Sequence, residues 1–254
     1  TNHTSGYLKR IQKGGYRIRV LKRLFKKPSM FLAPSKELLD VPFPISAKMK
    51  YIPNGVISSK LRRNEGKRSA IRLSLGLVDS DVLAIVTRRL VQKNGVKYLS
   101  LATRYINNPN LRLLIIGDGE EYREIHYNLS KYFPDRFWML GSKKHEEIID
   151  YYSAADISIL PSLMEATSIS GLEAMGASLA LVGTDVGGIP ELIQDGHNGY
   201  LCRPRDPEDL AAKIDMILSQ DYKAMGEKSY EIVRQNFDWN VIADSTLQAY
   251  KELL

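Results

Sequence analysis

The chain has 254 residues, 44% of them hydrophobic, which is enough for a real core in one large domain or one and a half ordinary ones and excludes a disordered chain. No apolar run approaches the roughly 18 residues of a membrane span, and the single cysteine, Cys202, excludes an internal disulfide and a cysteine-rich zinc site, as suits a reducing cytoplasm. Residues 1–70 hold 17 Lys/Arg against 3 Asp/Glu and the remainder 19 against 26, so a front of +14 precedes a body of −7.

The chain opens on Thr1 without a signal peptide's apolar stretch, so a processed, trimmed or fragmentary chain is expected. From Tyr16 to Lys27 the spacing predicts a helix with Val20, Leu21, Leu24 and Phe25 on one face and cations around the rest. Such a helix would draw anionic lipid head groups or nucleic acid, and it would equally suit a solvated helix packed by its apolar face on a neighbouring domain. Of the first two, an anionic membrane surface is the expected partner and nucleic acid is not. Met30 to Ala33 and Lys50 to Ile52 read as the last strands of an earlier unit, ended by the turn from Pro53 to Gly55.

After about residue 65 the periodicities alternate. Strands are expected at Val82 to Thr87, Leu111 to Ile116, Phe137 to Leu140, Ile157 to Leu160 and Leu179 to Val182, with helical patterns between them. Strands separated by helices predict βαβ units, hence a Rossmann-like parallel sheet of the α/β class with helices on both faces. Helical patterns at Pro207 to Ser219, Tyr222 to Gln235 and Trp239 to Leu254 close the chain.

Chemistry gathers at the expected strand ends. Glu165 stands in a polar loop after the Ile157 strand, and Glu173 follows on a helix that Ser168, Ile169 and Ser170 are expected to open. Open α/β sheets present ligand-binding groups in this way, at the carboxyl ends of their strands. Arg88 and Arg89 follow the Val82 strand, where cations suit a diphosphate. Gly117 and Gly119 bracket Asp118 after the Leu111 strand, where missing side chains allow a ligand or another backbone close approach. Gly187 and Gly188 follow the Leu179 strand. Asp79 and Asp81 have the Asp-x-Asp form of a metal binder but precede the Val82 strand at the opposite edge, so they are read as a turn, and no metal site is expected. His126, His145 and His197 lack ligand spacing. A glycoside hydrolase is disfavoured, because eight helical residues span about 12 Å against the roughly 5 to 5.5 Å between carboxylates in retaining hydrolases.

These motifs, in this order, resemble the nucleotide-sugar-binding domain of retaining GT-B glycosyltransferases, glycosyltransferase family four. The run from Glu165 to Glu173, Arg89 with Leu90, the turn from Gly117 to Gly119, the segment Val186 to Glu191 and the Ile52 to Val56 signature carry the resemblance over about residues 50–254. It implies a division into residues 1–55, the final part of a truncated N-terminal Rossmann-like domain that builds the acceptor side. Residues 56–65 would be a linker, 66–236 the nucleotide-sugar-binding domain, and 237–254 a helix returning toward the N-terminal domain. It further implies transfer of a sugar from a UDP- or GDP-linked donor to an acceptor hydroxyl, the nucleotide sugar serving as substrate and no cofactor being needed. Cytoplasmic placement, at most peripheral at the inner face of a membrane, goes with this.

The resemblance assigns roles residue by residue. Arg89 would bind the diphosphate, Glu173 the ribose hydroxyls and Glu165 the donor sugar. Ser168, Ile169 and Ser170 would offer helix N–H groups to the phosphate, and Gly117 and Gly119 would line the donor site. The family lysine falls on Asn94, which leaves Lys93, one residue early, as its replacement. Ala166 and Thr167 replace the usual glycine and aromatic residue after the first glutamate, so donor preference does not carry over. His3 resembles the histidine that faces the donor sugar. Because the resemblance implies a truncated N-terminal domain, the alternative is a nucleotide-sugar-binding module, inactive without a complete one.

Overall fold

The computed structural model describes residues 16–25, 27–40 and 47–253. His3 lies outside them. The main sheet has six strands, all parallel: β3 (Val82–Thr87), β4 (Leu111–Ile116), β5 (Phe137–Met139), β6 (Ile157–Leu160), β7 (Ala180–Thr184) and β8 (Gly199–Cys202), in the order β5-β4-β3-β6-β7-β8. This is the expected Rossmann-like α/β architecture.

Side-chain alternation explains why the strands read as continuous apolar runs. In β3, Ala84 and Val86 join one core while Leu83 and Ile85 join the other, since successive side chains leave a strand on opposite faces. One core packs the sheet against α4 (Val96–Ala102), α5 (Tyr122–Tyr132) and α8 (Pro207–Leu218). The other packs it against α6 (His145–Ala154), α7 (Ile169–Gly176) and α9 (Tyr222–Asn236). Each fully buried Leu or Ile in these layers contributes about 1.5–3 kcal/mol. Strand order reverses between β3 and β6, and the crevice outside their carboxyl ends is where such sheets bind ligands.

The front of the chain supplies α1 (Tyr16–Leu24) and a separate parallel pair, β1 (Met30–Ala33) and β2 (Lys48–Tyr51). On the expected amphipathic helix, Phe25 is buried and stacks on Phe31 with ring centroids 4.1 Å apart, while Val20 and Leu24 are exposed. Where a linker was expected the chain forms α2 (Ser58–Leu61) and enters α3 (Glu65–Ser74), capped by Asn64, whose side chain accepts from Lys67 N at 2.9 Å. Leu61 is buried against Gly176 of α7, so this segment is packed structure rather than a tether.

The last helix, α10 (Trp239–Lys251), starts beside this segment. Val56 N donates to Phe237 O at 2.9 Å, Trp239 N to Val56 O at 3.0 Å, and the Ser58 hydroxyl to Asp238 at 2.6 Å. At its far end Glu252 pairs with Lys50 of β2 at 2.6 Å.

Candidate functional site

Glu165 lies in the loop between β6 and α7, and its neighbours hold it from three sides. Arg88, just past β3, donates one guanidinium nitrogen to Glu165 and the other to the Ser168 hydroxyl at 2.6 Å. The pair is largely buried, with side chains 11% and 15% exposed. Gly187 and Gly188 press on the loop from another side. A Cβ on Gly187, which has φ +53, would stand 1.7 Å from Glu165 O, and Gly188 N donates to that carbonyl at 3.1 Å. The β1–β2 unit closes the third side, where Thr167 Oγ1 donates to Pro34 O at 2.6 Å and Ala166 packs on Ala33 and Leu38. Lys36 N donates to Glu191 at 2.9 Å nearby, and burial followed by the Glu191 charge raises the Glu37 carboxyl above its usual range.

Ser168 caps α7, its hydroxyl accepting from Gly171 N at 3.1 Å. This cap and Arg88 use the acceptor sites of the hydroxyl, whose own proton stays free to donate, with Ser170 Oγ 3.3 Å away; beside it the helix end offers a ligand the amides of Ile169 and Ser170, which have no partner within the helix. Together with the helix dipole they favour an anion.

Glu173 is buried one turn further along α7. Tyr152 donates to its Oε2 at 3.3 Å, and His145 Nδ1 lies 3.5 Å from its Oε1. Burial pushes the Glu173 carboxyl above its ordinary value, while His145, the Tyr152 hydroxyl and Arg88 pull it back. An ionised carboxylate kept at the floor of a cleft is an acceptor for hydroxyl groups.

A cleft of about 200 Å³ is lined by residues that include Arg88, Arg89, Gly117, Lys143, Ser170 and Glu173, whereas Glu165, Ser168, Ile169, Lys93 and Gly119 are not on its wall. Arg89, Gly117, Ser170 and Glu173, separate in sequence, thus face one space. Lys93 is exposed, and its carbonyl accepts from Leu163 N at 2.8 Å. Asn94 is buried, its amide donating to Arg89 O at 2.7 Å, so the position that the family lysine would occupy instead braces the arginine loop. Gly117 has φ +145, and a Cβ on it would stand 1.9 Å from Arg88 O; one on Gly119 would stand 2.3 Å from Leu90 O. Both glycines admit the Arg88–Leu90 backbone, and Gly117 also lines the cleft. Asp81 is buried at the other edge of the sheet and pairs with Arg112 at 2.8 Å.

Lys143, His145 and Tyr152 are site residues that the sequence leaves without a role, and Arg88, expected beside Arg89 as a cation for a diphosphate, instead holds Glu165. The seven-residue spacing of His145 and Tyr152, on one face of a helix, is the one signal that joins two of them.

A parallel α/β sheet with cations, a helix start and a buried carboxylate at its switch point is an arrangement suited to an anionic, hydroxyl-bearing ligand. The chain belongs to the family of glycosyl transferases group 1, whose model matches residues 67–234. It is 30% identical over 216 residues to an uncharacterized glycosyltransferase of Methanocaldococcus jannaschii, covering 80% of this chain and 54% of that protein. It is 28% identical over 211 residues to the phosphatidylinositol N-acetylglucosaminyltransferase gpi3 subunit of Schizosaccharomyces pombe, covering 81% of this chain and 44% of the relative. The chain therefore spans about half the length of these curated relatives. Among solved structures, Anabaena HepE in complex with UDP matches with a TM-score of 0.84 at 22% identity, over 93% of this chain and 67% of that one. The fold is that of GT-B glycosyltransferases.

Proposed function

We propose that this chain forms the donor half of a retaining glycosyltransferase of family four. It would move a sugar from a UDP- or GDP-linked donor to an acceptor hydroxyl in glycan, lipid or polysaccharide synthesis. One observation carries the reading: Arg89, Gly117, Ser170 and Glu173 converge on a single cleft at the strand ends. The UDP held by the Anabaena protein of like fold supports a nucleotide there.

In this reading Glu173 accepts hydrogen bonds from the ribose hydroxyls, each contributing about 1.5–3 kcal/mol. Arg89, Lys143 and the start of α7 neutralise the charge that grows on the diphosphate as the bond to the sugar breaks. One such preorganised donor is worth about 2.7–4 kcal/mol. Lys93, exposed on the same loop, adds a cation at longer range. Glu165, held by Arg88, faces the sugar and balances positive charge at the anomeric carbon. The departing phosphate takes the acceptor's proton, so no side-chain nucleophile is required.

A second reading is a nucleotide-sugar-binding module that is inactive without a complete N-terminal domain. A thermal-shift screen of UDP, GDP, ADP and their sugars tests the cleft, and radiolabel transfer with the best donor separates the two readings. Stabilisation with turnover supports the enzyme, stabilisation without turnover supports the module, and no stabilisation contradicts both.

The membrane surface belongs to the same proposal. No helix among the described residues is long and apolar enough to cross a membrane. The α1 helix exposes Val20 and Leu24 among Arg19, Arg23 and Lys27, a pattern that suits peripheral attachment to an anionic inner leaflet. Deleting residues 1–28 is expected to abolish sedimentation with anionic liposomes, and undiminished binding would remove this part.

A further inference from the structure

We infer that Tyr152 is a positioning residue for nucleotide binding: its hydroxyl ties the Glu173 carboxylate and the first turn of α7 to the end of β3. The inference rests on the nucleotide-sugar reading of the cleft. Tyr152 is 1% exposed, and its ring belongs to the core under α6 and α7. Its hydroxyl meets three polar groups at one point: Thr87 Oγ1, Ser170 O at 3.1 Å and Glu173 Oε2 at 3.3 Å. All three residues line the cleft, and Tyr152 does not.

The inventory of protons shows how the junction is built. Ser170 O and the ionised Glu173 can only accept, so the single phenolic proton goes to them, and the Thr87 hydroxyl donates into the phenolic oxygen. Burial, and after it the charge of Glu173, raises the Tyr152 phenol well above its ordinary value, so it keeps the proton that this chain of bonds needs. A carboxylate offers about four acceptor directions. Tyr152 uses one on Oε2 and His145 approaches Oε1, which leaves acceptor capacity for a vicinal diol. A core position asks only for the ring, and phenylalanine would fill it with no buried hydroxyl to satisfy. The hydroxyl instead links the strand that leads into Arg88 and Arg89 to the helix that carries Ser170 and Glu173. It thereby sets the distance between the phosphate-binding and ribose-binding sides of the cleft.

The test uses calorimetry on the whole chain with whichever of UDP, GDP and ADP binds the wild type most tightly, and with the dideoxy form of the same nucleotide, which lacks both ribose hydroxyls. Tyr152→Phe, its folding checked by circular dichroism and Tm, is expected to bind the ribonucleotide about tenfold more weakly, the loss of one hydrogen bond to an ionised acceptor. Affinity for the dideoxy form is expected to fall by no more than about threefold, because that ligand never engages Glu173 and feels only the loosened first turn of α7. In a Glu173→Gln background the further loss should be under about twofold, since coupled neighbours are not additive. Thr87→Val, which removes the other hydroxyl without changing shape, should reproduce the pattern at roughly threefold. Unchanged ribonucleotide affinity in both variants would overturn the inference. Equal weakening of the ribo and dideoxy forms would also overturn it, since that is the mark of a merely structural role. A wild-type chain that binds no nucleotide would instead bring down the reading of the cleft, and this inference with it.

Discussion

Replacing Arg88 with alanine tests the way the donor loop is held. The substitution removes a guanidinium that bonds both Glu165 and the cap of α7. Truncating one partner of a fully buried ion pair costs about 3–5 kcal/mol, whereas exposed pairs are worth about 0–1 kcal/mol. With the two side chains 11% and 15% exposed, the pair lies toward the buried end. Losing the bond to Ser168 adds about 1 kcal/mol. Discounting the ion pair for its residual exposure gives a total near 3 kcal/mol. For a chain of this size that lowers Tm by roughly 6–12 °C. Urea denaturation of Arg88→Ala, Glu165→Gln and the double variant should show coupling of more than about 1 kcal/mol. Arg88→Lys should recover part of the loss, because a point charge reaches Glu165 but cannot fork to Ser168 as well. A single variant within about 0.5 kcal/mol of wild type, or strictly additive losses, would refute the picture of a locked loop.

Glu173→Gln should stabilise the free protein near neutral pH while weakening nucleotide binding. The folded carboxyl titrates above its unfolded value, so its contribution is fully present below the unfolded pKa and is lost as pH rises through the folded one. The gap in Tm between variant and wild type should therefore open with rising pH and close in acid, which melting curves across pH would follow. Asp238→Ala removes the cap of α10 and both bonds to Ser58, at a cost of about 1–2 kcal/mol by urea denaturation. Ser58 above all holds the Asp238 carboxyl below its usual range, so this difference should persist near neutrality and shrink as pH falls below about 4. Gly117→Ala places a Cβ 1.9 Å from Arg88 O at φ +145. Backbone strain of about 1–3 kcal/mol precedes any relief of the clash, and both denaturation and nucleotide titration should register the displaced arginine loop.

Which parts of this were legible in the sequence follows from how each residue is buried. Runs such as Val82–Thr87 and Leu111–Ile116 are apolar on both faces and could only be central strands. Gly199–Cys202 escaped because it is short, begins on glycine and forms a half-exposed edge of the sheet. The α3 helix escaped because none of its residues is fully buried and its contact with the core rests on Ile71, with Leu75 just past its end. Glu173 was legible as a charge set in an otherwise apolar helix. The adjacent arginines were told apart only by the family resemblance, since nothing local says which one turns into the Glu165 loop and which one stays exposed over the cleft. The roles of His145 and Tyr152 depend on α6 lying beside α7, a tertiary fact that no spacing within either helix records.

We propose that the cleft between the ends of β3 and β4 and the helices α6 and α7 binds the nucleoside diphosphate of a sugar donor. Isothermal titration of the wild-type chain with UDP and GDP, set beside Arg89→Ala and Glu173→Gln, tests it most directly. Saturable binding of one nucleotide to one site, weakened about tenfold or more by either substitution, is expected. No binding to the wild type, or binding that both variants keep at full strength, would contradict it.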